Sequence, residues 1–121
     1  MQKNFWTGLY LKKNSNGTKA PIFVLAPMAD VTDYVFRNLI KEKSEFGTEN
    51  CFLDCFWTEF VSVNGLADAR GREALIKDLR FEKSEMPIVA QIFGDDYAKY
   101  LEVGKLCEDL GFAGVDINMG C

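Results

Sequence analysis

Histidine is absent from this chain. Its absence removes the commonest general base and the commonest metal ligand of proteins from consideration. Any chemistry must therefore use cysteine, carboxylate, lysine or tyrosine side chains, or a bound cofactor. We expect no metal site.

Long hydrophobic runs are also missing. No stretch approaches the roughly 18 consecutive apolar residues of a membrane span, and the first residues lack the charged-then-apolar pattern of a secretion signal. The four cysteines could form disulfides, but nothing else in the chain indicates secretion. We therefore expect reduced thiols and a cytoplasmic protein.

Positive charge is scarce, because 18 acidic residues outnumber 14 basic ones and give a net charge of −4. Affinity for a nucleic-acid backbone comes largely from Lys and Arg, so this chain is not by itself such a binding surface. Its 121 residues and 48% hydrophobic content are those of one globular domain with a buried core.

What the chain does contain is an alternation of short apolar runs and helical patterns. Residues 1–20 are predicted to form an N-terminal extension or hairpin, with an extended piece over Asn4–Lys13 and a turn over Asn14–Gly17. Residues 21–121 form the second unit. Its predicted strands cover residues 22–26, which should be buried on both faces, 51–60 with an uncertain start, 87–93 and 114–118.

Three helices are predicted between these strands. The first is capped by Thr32 or Asp33 and should pack Val35, Phe36, Leu39 and Ile40 on the sheet, and a weaker one covers 70–79. The clearest is capped by Asp95 or Asp96 and stops at Gly111, with a stripe of Tyr97, Tyr100, Leu101, Cys107 and Leu110.

About four parallel strands joined by three crossover helices can be half of a (β/α)8 barrel or most of a doubly wound sheet. Periodicity alone does not choose between them. A fourth strand ending at Met119-Gly120-Cys121 has no following helix to cover it, so we expect a fragment truncated after strand 4. The alternative is a half-barrel that self-associates.

Three segments together carry a resemblance to one family. Leu25–Asp33, with Phe36-Arg37 just after, resembles the APMAGVTD...FR signature at the first strand end of tRNA-dihydrouridine synthases. Val89–Gly94 resembles their third-strand VQIxG segment, and Asp116–Cys121 resembles their fourth-strand DINMGCP signature. The order and spacing match too, and the likeness covers roughly residues 21–121.

The resemblance implies the N-terminal half of an α/β (β/α)8 TIM barrel with FMN bound over the barrel mouth. It further implies that NADPH reduces the FMN, and that the activity is reduction of uridine to dihydrouridine in tRNA. Later strands should supply the flavin phosphate site, so this fragment alone is expected to be inactive. Asp30 departs from the family's usual glycine, and Asp tolerates unusual backbone angles well.

The resemblance also marks candidate site residues. Pro27, Met28 and Ala29 are expected to face the flavin with their backbone, unless they form a plain strand-to-helix loop. Gln91, whose amide is costly to bury unpaired, should bind the flavin pyrimidine edge or else a neighbouring strand or loop. Asn118 is assigned to the uracil base, with flavin contact as the near alternative.

Cys121 is the candidate proton donor, because a thiol with a pKa of about 8.5 is mostly protonated at neutral pH. Elsewhere in the chain a lone cysteine is more simply a buried small hydrophobe. Cys51, Cys55 and Cys107 are interpreted in that way rather than as metal ligands. Glu59, near the end of the second predicted strand, could orient a group in the site, or Arg37 and Glu59 could simply form a structural ion pair; both stay outside the predicted site.

Two other functions remain open from the sequence. One is another FMN barrel oxidoreductase acting on a free pyrimidine, such as a dihydropyrimidine or dihydroorotate dehydrogenase. The other is a non-catalytic half-barrel that self-associates, or an RNA-binding accessory protein without flavin. The oligomeric state is not predicted.

Overall fold

The computed structural model describes residues 4–48 and 51–120. Helices and parallel strands alternate through most of this part of the chain. The helices are α1 (Phe5–Tyr10), α2 (Tyr34–Lys43), α3 (Val63–Ala67), α4 (Ala69–Leu75) and α5 (Tyr97–Leu110), with 3-10 turns at Ile76–Leu79 and Lys83–Glu85. The strands are β1 (Phe56–Ser62), β2 (Ile88–Phe93) and β3 (Gly114–Ile117).

The strands form a three-stranded parallel sheet in the order β1-β2-β3. Three of the four predicted strands are therefore present, and the fold class is α/β. The register aligns Phe60, Gln91 and Asp116 side by side in the three strands. A break in the register between Trp57 and Phe60 marks an irregularity in β1.

The predicted first strand is reduced to one parallel bridge between Val24 and Cys55. The Leu25 N–H donates to the Cys55 carbonyl at 3.1 Å, so this segment runs along the edge of β1. The expectation of burial on both faces is wrong, because Ile22, Phe23 and Val24 are 42%, 49% and 42% exposed. Their segment has a neighbour on one side only in the described part of the chain.

The N-terminal segment is helical where an extended piece was predicted. Phe5–Tyr10 forms α1, and the Asn4 side chain caps it by accepting from the Thr7 N–H at 2.9 Å. The predicted turn is present, and an antiparallel bridge between Lys13 and Lys19 joins the residues on its two sides. The sequence missed the helix because Asn4 was not recognised as an N-cap.

The cap of α2 is Asp33, one of the two predicted candidates, and its side chain accepts from the Phe36 N–H at 2.7 Å. The predicted buried face is partly wrong, since Val35 is 71% and Leu39 49% exposed. The buried residue of this helix is instead Arg37, which has no exposed surface.

Helix α5 begins after Asp96 and ends at Gly111, which adopts a left-handed φ of 90°. Both limits agree with the prediction. The buried side chains of the helix are Val103 and Cys107, whereas Tyr97 and Leu101 of the predicted stripe are 78% and 64% exposed.

The main core lies between the sheet and α3–α5. Ala90 and Ile92 of β2 pack there with Val61, Leu66, Val103 and Cys107. A second cluster joins Phe56, Ile88 and Leu53. Because side chains alternate along a strand, Val89, Gln91 and Phe93 project from the opposite face of the sheet.

Helix α1 covers the amino end of that opposite face. A Cβ atom added to Gly114 would lie 2.8 Å from the Trp6 ring, so glycine permits this close approach. The Trp6 ring also meets the Trp57 ring edge-on at 6.3 Å between centroids. The carboxyl end of the same face remains open.

Candidate functional site

A cavity of about 580 Å³ lies at the carboxyl ends of the three strands. Each strand contributes its last residues or the turn that follows it. The lining residues are Phe60, Ser62, Asn64, Phe93, Gly94, Asp95, Asn118, Met119 and Gly120. We call this the carboxyl-end cavity, and it lies where parallel α/β folds place their ligands.

Aromatic side chains form one wall of the carboxyl-end cavity. The Phe60 and Phe93 rings meet edge-to-face with centroids 5.1 Å apart. Asp95 is a carboxylate of the lining, and the hydrogen bond from Asn64 holds the pKa of Asp95 below its usual value. The lining contains no Lys or Arg. The lining therefore offers an aromatic surface and no cationic side chain that could bind a phosphate group.

A chain of hydrogen bonds runs from the sheet to this cavity. The Asp116 Oδ2 atom accepts from Trp57 Nε1 at 3.2 Å and from Gln91 Nε2 at 2.7 Å. The Gln91 Oε1 atom faces Asn118 Nδ2 at 3.5 Å, and Asn118 Oδ1 accepts from the Gly120 N–H at 2.9 Å. We call these five residues the amide relay.

The turn after the first segment is held by Thr32. Its hydroxyl accepts from the Met28 N–H at 3.0 Å and lies 3.1 Å from the Met28 carbonyl oxygen. Asp30 adopts a left-handed φ of 58°, and its N–H donates to Glu59 Oε1 at 2.5 Å. The backbone thus takes an angle that favours glycine, as the departure at Asp30 suggested.

A buried ion pair between Arg37 and Glu85 connects this turn to other segments of the chain. Arg37 Nε donates to Glu85 Oε1 at 2.8 Å, and Arg37 Nη1 donates to the Thr32 carbonyl at 2.9 Å. Arg37 Nη2 bonds the Arg80 carbonyl at 2.6 Å, so the guanidinium joins three segments. The interpretation that Arg37 pairs with Glu59 is wrong, because Glu59 is engaged at Asp30.

A second cavity of about 510 Å³ lies between this turn and α4. Ala29, Asp30, Glu59 and Phe60 contribute to its lining. Phe60 also lines the carboxyl-end cavity. One aromatic side chain therefore separates the predicted Ala29 site from the predicted Asn118 site.

The predicted site residues are brought together only in part. Asn118 lines the carboxyl-end cavity and contacts Gln91, whereas Ala29 lines the second cavity. Gln91 is buried and its amide is already paired with Asp116, so its burial alone does not demand a ligand. Cys121 lies outside the described residues.

Sequence reasoning missed Asp116 as part of the site, although it stands within the third motif. The signal was available, because Val115 and Ile117 flank it and an alternating strand must turn Asp116 to the face opposite them. Trp57 was not predicted as part of the site, and the irregularity in β1 gave no sequence signal. The Trp57 indole N–H in fact bonds Asp116.

Two of the other cysteines are buried packing groups, as predicted. Cys55 and Cys107 have no exposed surface. Burial raises the pKa of the Cys55 thiol to about 12 and that of Cys107 to about 11. Neither thiol is poised to react at neutral pH.

Residues 4–48 and 51–120 contain neither a cluster of metal-ligating side chains nor a membrane-spanning helix. No group of three or more Cys, Asp or Glu side chains there could hold a metal ion. None of the helices in those ranges is both long and apolar enough to cross a membrane.

These features define a class: an α/β protein whose parallel strands end, at their carboxyl ends, at a cavity with an aromatic wall. A sequence model of the family described as "Dihydrouridine synthase (Dus)" matches residues 24–121. The chain therefore belongs to the dihydrouridine synthase family.

Curated relatives match the chain from end to end. A Bacillus subtilis (strain 168) protein named "Probable tRNA-dihydrouridine synthase 2" is 38% identical over 121 residues, which are 100% of this chain and 32% of the relative. A Staphylococcus epidermidis protein and a Staphylococcus aureus (strain COL) protein, each named "Probable tRNA-dihydrouridine synthase", are 36% identical with the same coverage. The chain thus spans about a third of the length of these relatives.

Proposed function

We propose that this chain forms the N-terminal part of the FMN-binding barrel of a tRNA-dihydrouridine synthase. The enzyme would reduce uridine in tRNA to dihydrouridine with NADPH as the reductant. The observation that carries the proposal is the carboxyl-end cavity, whose Asn118 and Gly120 belong to the family's third motif and whose Phe93 belongs to its second. The names of the relatives supply the substrate.

The order of the strands supports a barrel over a doubly wound sheet. The segment at Val24, β1, β2 and β3 are successive neighbours, and each pairing is parallel. Doubly wound sheets reverse their strand order at a switch point, whereas a barrel adds each new strand on the same side. No reversal occurs in the described part of the chain.

Several residues would hold the flavin ring. Backbone groups of Pro27, Met28 and Ala29 would face it from the turn, and the Gln91 amide would bind its polar edge. A hydrogen bond from the Met28 N–H to the Thr32 hydroxyl stabilises this turn. Because no cation lines the carboxyl-end cavity, the phosphate would be bound by residues of the longer protein.

The reaction adds one hydride and one proton across the C5–C6 bond of uracil. FMN, when bound and reduced by NADPH, would supply hydride chemistry for the C6 position. Asn118 would orient the uracil base through its amide, and the Cys121 thiol would donate the proton to C5. A thiol suits this step because it still holds its proton at neutral pH, unlike an ordinary carboxyl group.

The tRNA would be bound mainly by other parts of the full-length protein. The net charge of −4 on these residues opposes contact with phosphates. We therefore expect the 121 residues alone to be inactive. We also expect a cytoplasmic enzyme, because tRNA is its substrate under this proposal.

The experiment uses the full-length protein, NADPH and tRNA that lacks dihydrouridine, with the product nucleoside measured by mass spectrometry. Cys121→Ala should retain FMN absorbance and lose most of the dihydrouridine formed, by at least the roughly hundredfold that a general acid contributes. Cys107→Ala is the matched control and should keep its turnover, because Cys107 is buried on the inner face of α5. Unchanged turnover in Cys121→Ala would remove Cys121 from its role.

A further inference from the structure

The Asp116 carboxylate is the one member of the amide relay that carries charge. Its Oδ2 atom accepts two N–H groups, from Trp57 Nε1 and Gln91 Nε2. Gln91 is buried, so its amide has little access to water as an alternative partner. The contact with Asp116 therefore decides how the Gln91 amide is turned.

An ionised carboxylate can only accept hydrogen bonds. Gln91 must point its NH₂ group at Asp116, which turns Oε1 toward Asn118 at 3.5 Å. Asn118 must then offer its own NH₂ group to Gln91, and its Oδ1 atom accepts from the Gly120 N–H at 2.9 Å. The orientation of each amide group therefore determines which atom the next group must donate from or accept with.

We infer that Asp116 is a positioning residue that sets the donor and acceptor sense of the Gln91 and Asn118 amides. It thereby selects which polar atoms the carboxyl-end cavity presents to a bound ring. The second hydrogen on Asn118 Nδ2 is not used by these contacts, so Asn118 presents a donor that fits a ring carbonyl oxygen. The relay ends at Gly120, directly before Cys121. This inference rests on the proposed function, in which that ring is flavin or uracil.

The test is a double-substitution cycle at positions 91 and 116 in the full-length protein at pH 8. Gln91→Glu sets two carboxylates against each other where 2.7 Å now separates donor from acceptor. Asp116→Asn keeps the shape but loses the charge. In the double variant the amide introduced at position 116 can donate to the carboxylate introduced at position 91, and that carboxylate still offers Asn118 an acceptor.

Two quantities are measured. The first is the Kd for FMN added to flavin-free protein. The second is the side-chain amide NMR signal of Asn118 in flavin-free protein labelled with ¹⁵N-asparagine, identified by its loss in Asn118→Asp. The second needs no flavin, and a residue that merely supports the fold would not move it.

We expect Gln91→Glu to weaken FMN binding about 50-fold and Asp116→Asn about fivefold, from the usual cost of unpaired buried polar groups. The double variant should be about tenfold weaker, and its Asn118 signal should return toward the wild-type position. The rescue is incomplete because the Trp57 indole N–H then loses its charged acceptor. Asp109→Asn, the same change on the exposed side of α5, should rescue nothing.

Simple additivity of the two single effects would overturn the inference. So would an Asn118 signal that responds to neither substitution. Wild-type protein that takes up no FMN would overturn the proposed function instead, and the Asn118 signal would separate that result from a failure of Asp116.

Discussion

At the scale of single residues, the region of the site depends on buried polar side chains whose hydrogen bonds connect separate segments. Arg37 links α2 to the turn at Thr32 and to the segment around Glu85, and its hydrogen bonds to both are buried. The motif identified Arg37 from the sequence, but the predicted partner, Glu59, was wrong. Sequence spacing could not reveal Glu85, because it lies 48 residues away and belongs to a short 3-10 turn.

Glu85→Gln is expected to destabilise the protein strongly. It keeps the shape of the side chain but leaves the Arg37 charge buried without a counterion, which costs about 3–5 kcal/mol of unfolding free energy. Chemical denaturation of the full-length protein measures the loss. Glu102→Gln, which breaks the exposed pair between Arg72 and Glu102, should cost less than about 1 kcal/mol. Equal losses in the two variants would contradict the structural role of Arg37.

The Cys107 thiol should make stability depend on alkaline pH. Burial raises its pKa in the folded protein to about 11, above the roughly 8.5 of an unfolded thiol. Its stabilising contribution is therefore complete below about pH 8.5 and declines as the pH rises toward about 11. The difference in unfolding free energy between wild type and Cys107→Ser, measured from pH 7 to 10.5, should shrink across that range. A constant difference would show that Cys107 is not desolvated.

At the scale of elements, the sequence predicted helices and strands best where a local signal existed. The Asp96 cap and the Gly111 stop define α5, and the apolar run after Pro87 defines β2. The sequence predicted structure least well where a segment packs against residues that are distant in the chain. The run at Ile22–Val24 has the composition of a buried strand, yet burial depends on neighbours that composition cannot reveal.

Helix α1 shows the same limit. Its role depends on Trp6 reaching Gly114, more than a hundred residues later in the chain. The sequence offered only a short polar-flanked segment there. The contact gives α1 a function as a cover for the amino end of the sheet.

Gly114→Ala tests that cover. The new Cβ would stand 2.8 Å from the Trp6 ring and displace it, with an expected cost of about 1–3 kcal/mol and a change in tryptophan fluorescence. Gly104→Ala is the matched control, since nothing lies within 4 Å of a Cβ there and α5 should gain roughly 0.5–1 kcal/mol. Denaturation with fluorescence detection compares them. If the two variants are equally stable, Trp6 does not cover Gly114.

At the scale of the whole molecule, the second and third sequence motifs meet at the carboxyl-end cavity, and the first lies beside it. Asn118 and Phe93 line the carboxyl-end cavity, and Ala29 lies across Phe60 from it. Parallel pairing made this convergence predictable, because strands that run together end together. The Asp116 contacts were not predictable, because they depend on strand register and on the rotamers of Trp57 and Gln91.

The most direct measurement is an anaerobic single turnover of the full-length protein. FMN is reduced in the protein, tRNA lacking dihydrouridine is added, and absorbance near 450 nm follows the return of oxidised flavin. Reoxidation that depends on the tRNA, with about one dihydrouridine formed per FMN, is the predicted result. Protein without FMN, or reduced flavin that tRNA does not reoxidise, would contradict the proposed function.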